Sequence, residues 1–152
     1  MKIIDGGLDD SRVQQLLAHH VNTARAQTAP RSAHALDLTG LKSPDVRFWS
    51  AWDGDHVVAV GALKRLSDSQ GEVKSMHTKE SHRRKGAGSA MLQHIITTAR
   101  QTGMFRLNLE TGSWPYFDAA RAFYSRHGFV ECPPFGSYVP DPNSVFMTLQ
   151  LR

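Results

Sequence analysis

The chain has 152 residues, 40% of them hydrophobic, with 18 lysines and arginines against 14 aspartates and glutamates, giving a net charge of +4 and a pI near 9.5. That size and apolar share suit one domain over residues 1–152 with a continuous core. No apolar run reaches membrane-spanning length, the start Met1-Lys2-Ile3-Ile4-Asp5 lacks the basic-then-apolar pattern of a secretory signal, and the lone Cys132 excludes an internal disulfide and the usual zinc sites. A cytoplasmic protein with no membrane role is expected, and its basic charge suits a nucleic acid, a phosphate-bearing cofactor or simple solubility.

An acidic cap at Leu8-Asp9-Asp10-Ser11 precedes apolar Val13, Leu16, Leu17, Val21 and Ala24, which predicts a helix from Asp10 to Ala26. Residues 27–45 carry two prolines and no sustained period, and read as a loop able to shape a pocket. Val46 to Trp52, the turn Asp53-Gly54 and His56 to Leu63 read as a hairpin with a bulge marked by Gly61. The turn at residues 67–71 leads into a third antiparallel strand, Glu72 to Thr78.

Met91, Leu92, Ile95, Ile96 and Ala99 then line a helix ending near Gly103, and Phe105 to Thr111 alternates as a strand, so a right-handed crossover makes a parallel pair. A helix from Asp118 to His127 and two strands, Phe129 to Cys132 and Val145 to Leu151, complete the chain.

The segment from His77 through the basic run Arg83-Arg84-Lys85 to Gly86-Ala87-Gly88-Ser89 follows a strand and opens a helix. Free amides at a helix N-terminus, a dipole worth roughly half a positive charge and glycines that admit close approach together favour a diphosphate. A tight turn with a solvated basic face is the structural alternative. The order of glycines, lysine and hydroxyl residue in a nucleotide P-loop is missing, as is the three-glycine dinucleotide fingerprint.

Arg83, Gly86 and Gly88 in this segment resemble the coenzyme A motif Arg/Gln-x-x-Gly-x-Gly/Ala of the GNAT superfamily of N-acetyltransferases. Ala122-Phe123-Tyr124-Ser125-Arg126-His127-Gly128-Phe129 is similar to the family's later Ala-x-x-Tyr-x-x-x-Gly-Phe signature, and Leu107 to Gly112 with the later loops resembles a group of small bacterial members. The resemblance implies an α/β (α+β) GNAT fold, a mixed sheet of six to seven strands flanked by three to four helices. It also implies an acetyltransferase that uses acetyl-CoA as cosubstrate and passes the acetyl group directly to a primary amine of a small molecule or peptide.

The resemblance places the cofactor against Met76, His77, Thr78, Arg83, Arg84, Lys85, Gly86, Ala87, Gly88, Ser89 and Tyr124, with main-chain amides around Met76 to Thr78 facing the thioester oxygen. Glu72 is the implied base, with His77 its rival, and Tyr124 the acid that protonates the departing thiolate. His34, Trp49, Tyr116 and Tyr138 are candidate acceptor contacts. Where many relatives place an asparagine for the pantetheine arm this chain has Phe117, with Asn108 as a substitute. Cys132 reads as a buried strand residue rather than an acyl carrier, and no histidine grouping suggests a metal. A homodimer is compatible with the resemblance. The alternatives are a noncatalytic acyl-CoA-binding module and, ranked well below catalysis, a nucleic-acid binder using the single basic run, so no nucleic-acid partner is expected.

Overall fold

The computed structural model describes all residues, 1–152. In chain order the elements are β1 (Lys2–Asp5), α1 (Ser11–Ala26), α2 (Leu38–Leu41), β2 (Val46–Asp53), β3 (His56–Arg65), β4 (Gln70–Thr78), α3 (Ala87–Gln101), β5 (Arg106–Gly112), α4 (Asp118–Arg126), β6 (Val130–Cys132) and β7 (Ser144–Gln150). They form one seven-stranded sheet in the order β1-β2-β3-β4-β5-β7-β6, antiparallel throughout except for the parallel pair β4 and β5. The mixed sheet and flanking helices match the expected fold class. Two short elements were not foreseen: β1, whose four residues are too few to display a period, and α2, a single turn capped by Asp37 within the presumed loop.

Helices cover both faces of the sheet. Asp10 caps α1 by accepting a hydrogen bond from the Arg12 amide at 2.8 Å, and the helix buries Val13, Leu16 and Leu17 against Phe48, Val57, Val60 and Ala62. On the other face Met91, Leu92, Ile95 and Ile96 of α3 pack with Trp49, Val58 and Leu63, and Tyr124 of α4 joins the same core. With both faces covered, β3 is buried from Val57 to Leu63 and reads as an unbroken apolar run.

The feature that positions the site is a divergence of β4 from β5. The two strands pair only at Gln70↔Arg106, Gly71↔Leu107 and Glu72↔Asn108, although β4 runs on to Thr78 and β5 to Gly112. The β3–β4 register passes from Ala62↔Lys74 to Val60↔His77, so Ser75 and Met76 together oppose Gly61. Ser75 takes a φ of +56°, and this bulge bends β4, whereas β5 keeps its full ladder with β7. Beyond Glu72 the main-chain groups of β4 that face β5 therefore have no ladder partner.

Gly61 allows the bulge to lie flat under α3. A Cβ there would stand 2.9 Å from Met91 Cγ and 3.0 Å from both Ile95 Cδ1 and Met76 Sδ. Gly61→Val is expected to destabilise the fold by about 2 kcal/mol in urea denaturation, because α3 or the bulge must move. An unchanged midpoint would show that the contact between α3 and the bulge is not tight.

Candidate active site

Between the diverging strands lies an open cleft of about 430 Å³. Its walls come from β4 (Val73 to Thr78), β5 (Glu110 to Gly112), the loop before α3, the inner face of α4, and the end of α1 with the loop that follows it. The β4–β5 divergence supplies the space, and the start of α3 and the end of α1 contribute to its walls.

At one end stands the glycine-bearing loop. Gly86 caps α3 in the left-handed region at φ +85° and Arg84 adopts φ +64°, which turns the chain sharply into the helix without any capping side chain. The first-turn amides of α3 are consequently free to serve an external acceptor. Gly88 makes close approach possible, since a Cβ there would lie 3.0 Å from Thr78 Oγ1 and 3.6 Å from Phe123 Cζ. Arg83, Arg84, Gly86, Gly88 and Ser89 all line the cleft. Lys85 is exposed beside it, and the Ala87 side chain is buried in the core, so Ala87 offers only its main chain. Ser89 Oγ lies 3.2 Å from His127 Nε2, which places neighbouring Arg126 of α4 at the same end. Uncapped amides, two glycines and three arginines form a cradle whose chemistry fits a diphosphate.

Further in, Met76, His77, Thr78 and Tyr124 line the wall, and the largely apolar surroundings of Tyr124 push its phenol well above the usual range. Phe117 also lines the cleft, its ring packed against Gly112 so closely that no Cβ could be accommodated there. Asn108 takes no part: it is buried between strands, donating to Gln70 Oε1 at 3.1 Å and accepting from Thr148 Oγ1 at 2.9 Å. The substitute for the missing asparagine is thus absent, and an aromatic ring occupies that side of the cleft.

Two carboxylates near the far end have different surroundings. Glu72, only 3% exposed, does not reach the cleft. It accepts a hydrogen bond from Tyr138 Oη at 2.7 Å and an ion pair from Lys74 Nζ at 3.2 Å, while Lys74 also donates to Tyr138 Oη and to the His34 carbonyl, each at 3.0 Å. Glu72 is thus paired within a buried network that links it to Lys74 and Tyr138. Glu110 on β5 does line the cleft, and burial raises its carboxyl to about 7. Sequence reading passed over Glu110; the signal lay in the alternation of β5, which puts Glu110 on the same face as Asn108, two residues past the point where pairing ends.

His77 lines the cleft with its Nδ1 3.2 Å from His20 Nδ1, and the His19 ring is 5.6 Å away centre to centre. Burial, assisted by neighbouring cationic character, lowers His77 to about 3 and His20 to about 4, so both rings are neutral at pH 7. His34 and Tyr116 line the cleft; Tyr138 does not, but stacks edge-on against His34 at 5.0 Å. Trp49 does not line it either: at 1% exposure it is a core residue on β2, placed there because β2 is covered by α3. Cys132 is half-buried on β6, outside the cleft lining, and burial raises its thiol.

These shifts have opposite consequences for stability. The histidines bind protons less readily folded than unfolded, so they lower stability as pH falls from about 6.5 toward 4. Glu110 holds its proton more tightly folded than unfolded, so its contribution is lost as pH rises through about 7. Glu110→Gln should therefore gain stability relative to the native chain between pH 5 and pH 8, on the order of 2 kcal/mol in urea denaturation. A pH-independent difference would mean that Glu110 is not desolvated.

The same architecture recurs in known proteins. The Acetyltransferase (GNAT) family matches residues 14–129. The chain is 47% identical over 144 residues to the uncharacterized N-acetyltransferase YsnE of Bacillus subtilis, covering 95% of both chains. It is 44% identical over 139 residues to the uncharacterized N-acetyltransferase YedL of Escherichia coli, covering 91% of this chain and 87% of the other. Among solved structures, one from Klebsiella pneumoniae superposes with a TM-score of 0.83 at 29% identity, covering 99% of this chain and 97% of that one. A Bacillus subtilis acetyltransferase solved in complex with CoA shares the fold, with a TM-score of 0.72 at 18% identity over 98% of this chain and 97% of that one. The divergent parallel strands, the uncapped helix entrance and these matches together establish that the chain belongs to the GNAT family of acetyltransferases.

Proposed function

We propose that this acyltransferase moves an acetyl group from acetyl-CoA directly to a primary amine of a small molecule or peptide. The observation that carries the reading is the placement of one partly buried carboxylate, Glu110, across a single cleft from the cradle at residues 83–89. Acetyl-CoA, when bound, supplies a thioester that an amine can attack and a thiolate that departs.

The chain's own groups would then divide the work. Amides at Arg84 to Ser89 hold the diphosphate, and unpaired main-chain groups at Met76 to Thr78 orient the thioester and face its carbonyl oxygen. An alkylamine has a pKa near 10.4 and arrives mostly protonated, so a proton acceptor is required before it can attack. Glu110 takes that role: it reaches the cleft and titrates at about 7, whereas Glu72 is committed to Lys74 and Tyr138. His77 is a weaker proton acceptor, since burial holds it neutral down to about pH 3. Tyr124, protonated at every working pH and lining the cleft, donates to the departing thiolate.

Acetyl-CoA and a panel of primary amines, followed by free-thiol release, would test this directly. Because Glu110 must be ionised to accept a proton, kcat/KM is expected to rise with pH through about 7. Glu110→Gln should lower it about 100-fold and flatten that rise. Tyr124→Phe should lower kcat about 100-fold while the Kd for acetyl-CoA changes less than about threefold. Retention of full activity in Glu110→Gln would transfer the proton-accepting role elsewhere.

A further inference from the structure

Resting on the reading of residues 83–89 as a diphosphate cradle, we infer that His127 and Gln93 are positioning residues that make the Ser89 hydroxyl a donor to that diphosphate. Ser89 lines the cleft, whereas His127 and Gln93 stand behind it, so both act through the serine.

A serine hydroxyl carries one hydrogen and two lone pairs, so what it offers a phosphate depends on what its internal partner takes. Ser89 lies in the first turn of α3, and the internal partner of its Oγ is His127 Nε2 at 3.2 Å. If that nitrogen were bare, the hydroxyl would spend its hydrogen on the ring and turn only lone pairs toward an anion. With Nε2 protonated, the ring donates to Oγ, and the hydroxyl hydrogen is left for an acceptor in the cleft. Neutral imidazole carries its proton on one nitrogen, and the bond made by the other decides which.

Gln93 settles the choice. It follows Ser89 by one turn on the same face of α3, and its amide nitrogen stands 3.2 Å from His127 Nδ1. An amide nitrogen only donates, so Nδ1 accepts and the ring proton sits on Nε2, facing Ser89. The end of α4 holds the ring in place: the His127 N–H donates to the Tyr124 carbonyl at 3.0 Å, and the ring packs on Phe123 with centroids 4.8 Å apart. Phe123 in turn stands beside Gly88, 3.6 Å from where a Cβ would be. The helix that carries Tyr124 thus also sets a side-chain donor next to the uncapped amides of α3.

Three measurements on the full chain test this. Long-range ¹H–¹⁵N spectra of the free protein at about pH 8 are expected to show the His127 proton on Nε2, and a proton on Nδ1 would overturn the inference. Calorimetric titration with coenzyme A should give a Kd about tenfold weaker for Ser89→Ala and for His127→Phe, with the double variant no weaker than either single one. His127→Gln, whose amide can place a donor where Nε2 stood, should bind within about threefold of the native chain. A glutamine variant as weak as the phenylalanine one would reduce His127 to a packing role. If His127→Phe does not fold, Gln93→Leu replaces it: it should leave His127 a mixture of tautomers and weaken coenzyme A about threefold, and unchanged affinity would count against the inference. Native affinity in Ser89→Ala, or losses that multiply in the double variant, would overturn the inference and leave the cradle standing. A native chain that binds no coenzyme A would sink the cradle reading itself, and the inference with it.

Discussion

The site depends on the early end of one parallel strand pair. After three residue pairs β4 leaves β5, and everything the cleft can do follows from the gap. Sheets normally satisfy each strand through its neighbours, so a parting strand must be bent by something and must leave main-chain groups unpaired. The bend comes from two residues, Ser75 and Met76, set against one, Gly61, with Ser75 in a conformation that few residues other than glycine adopt readily. Covering α3 and the unbroken β5–β7 ladder hold the distorted strand in place. Strain of this kind persists only where surrounding structure fixes it.

Within the gap, charge is sorted by burial and pairing. Glu72 and Lys74 neutralise each other below the surface and, through Tyr138 and His34, tie β4 to the loop after α1 and the loop before β7. A second tie joins the same loops where Ser32 donates to Asp141. Glu72 in this arrangement builds the wall, and Glu110 is the carboxylate that faces the cleft. Glu110 and the cradle therefore come from opposite sides of the divergence, on elements whose own ladders and helices are rigid.

Much of this was legible in the residues. Period, alternation and turn residues located nine of the elements: α1 and α3 each bury a regular face, and β3 stands out as an apolar run between turns. The cradle was legible for a different reason: Arg83, Gly86 and Gly88 are required by local main-chain geometry, and local geometry leaves a local pattern. The roles of Glu72, Glu110 and Trp49 were not legible, since each depends on partners far along the chain. Glu72 meets Tyr138 66 positions away, and Glu110 reaches the cleft only because strand pairing stops two residues earlier. A strand-end glutamate looks the same in sequence whether it faces a cleft or a buried lysine.

The central claim is that the uncapped amides entering α3 bind a diphosphate in the gap between β4 and β5. Titration of the ¹⁵N-labelled protein with coenzyme A, followed by amide NMR spectra, measures this directly. The account requires the largest displacements at Arg84 to Ser89, with smaller ones at Met76 to Thr78. Saturable binding that leaves the amides of Arg84 to Ser89 unmoved, or no binding at all, would contradict it.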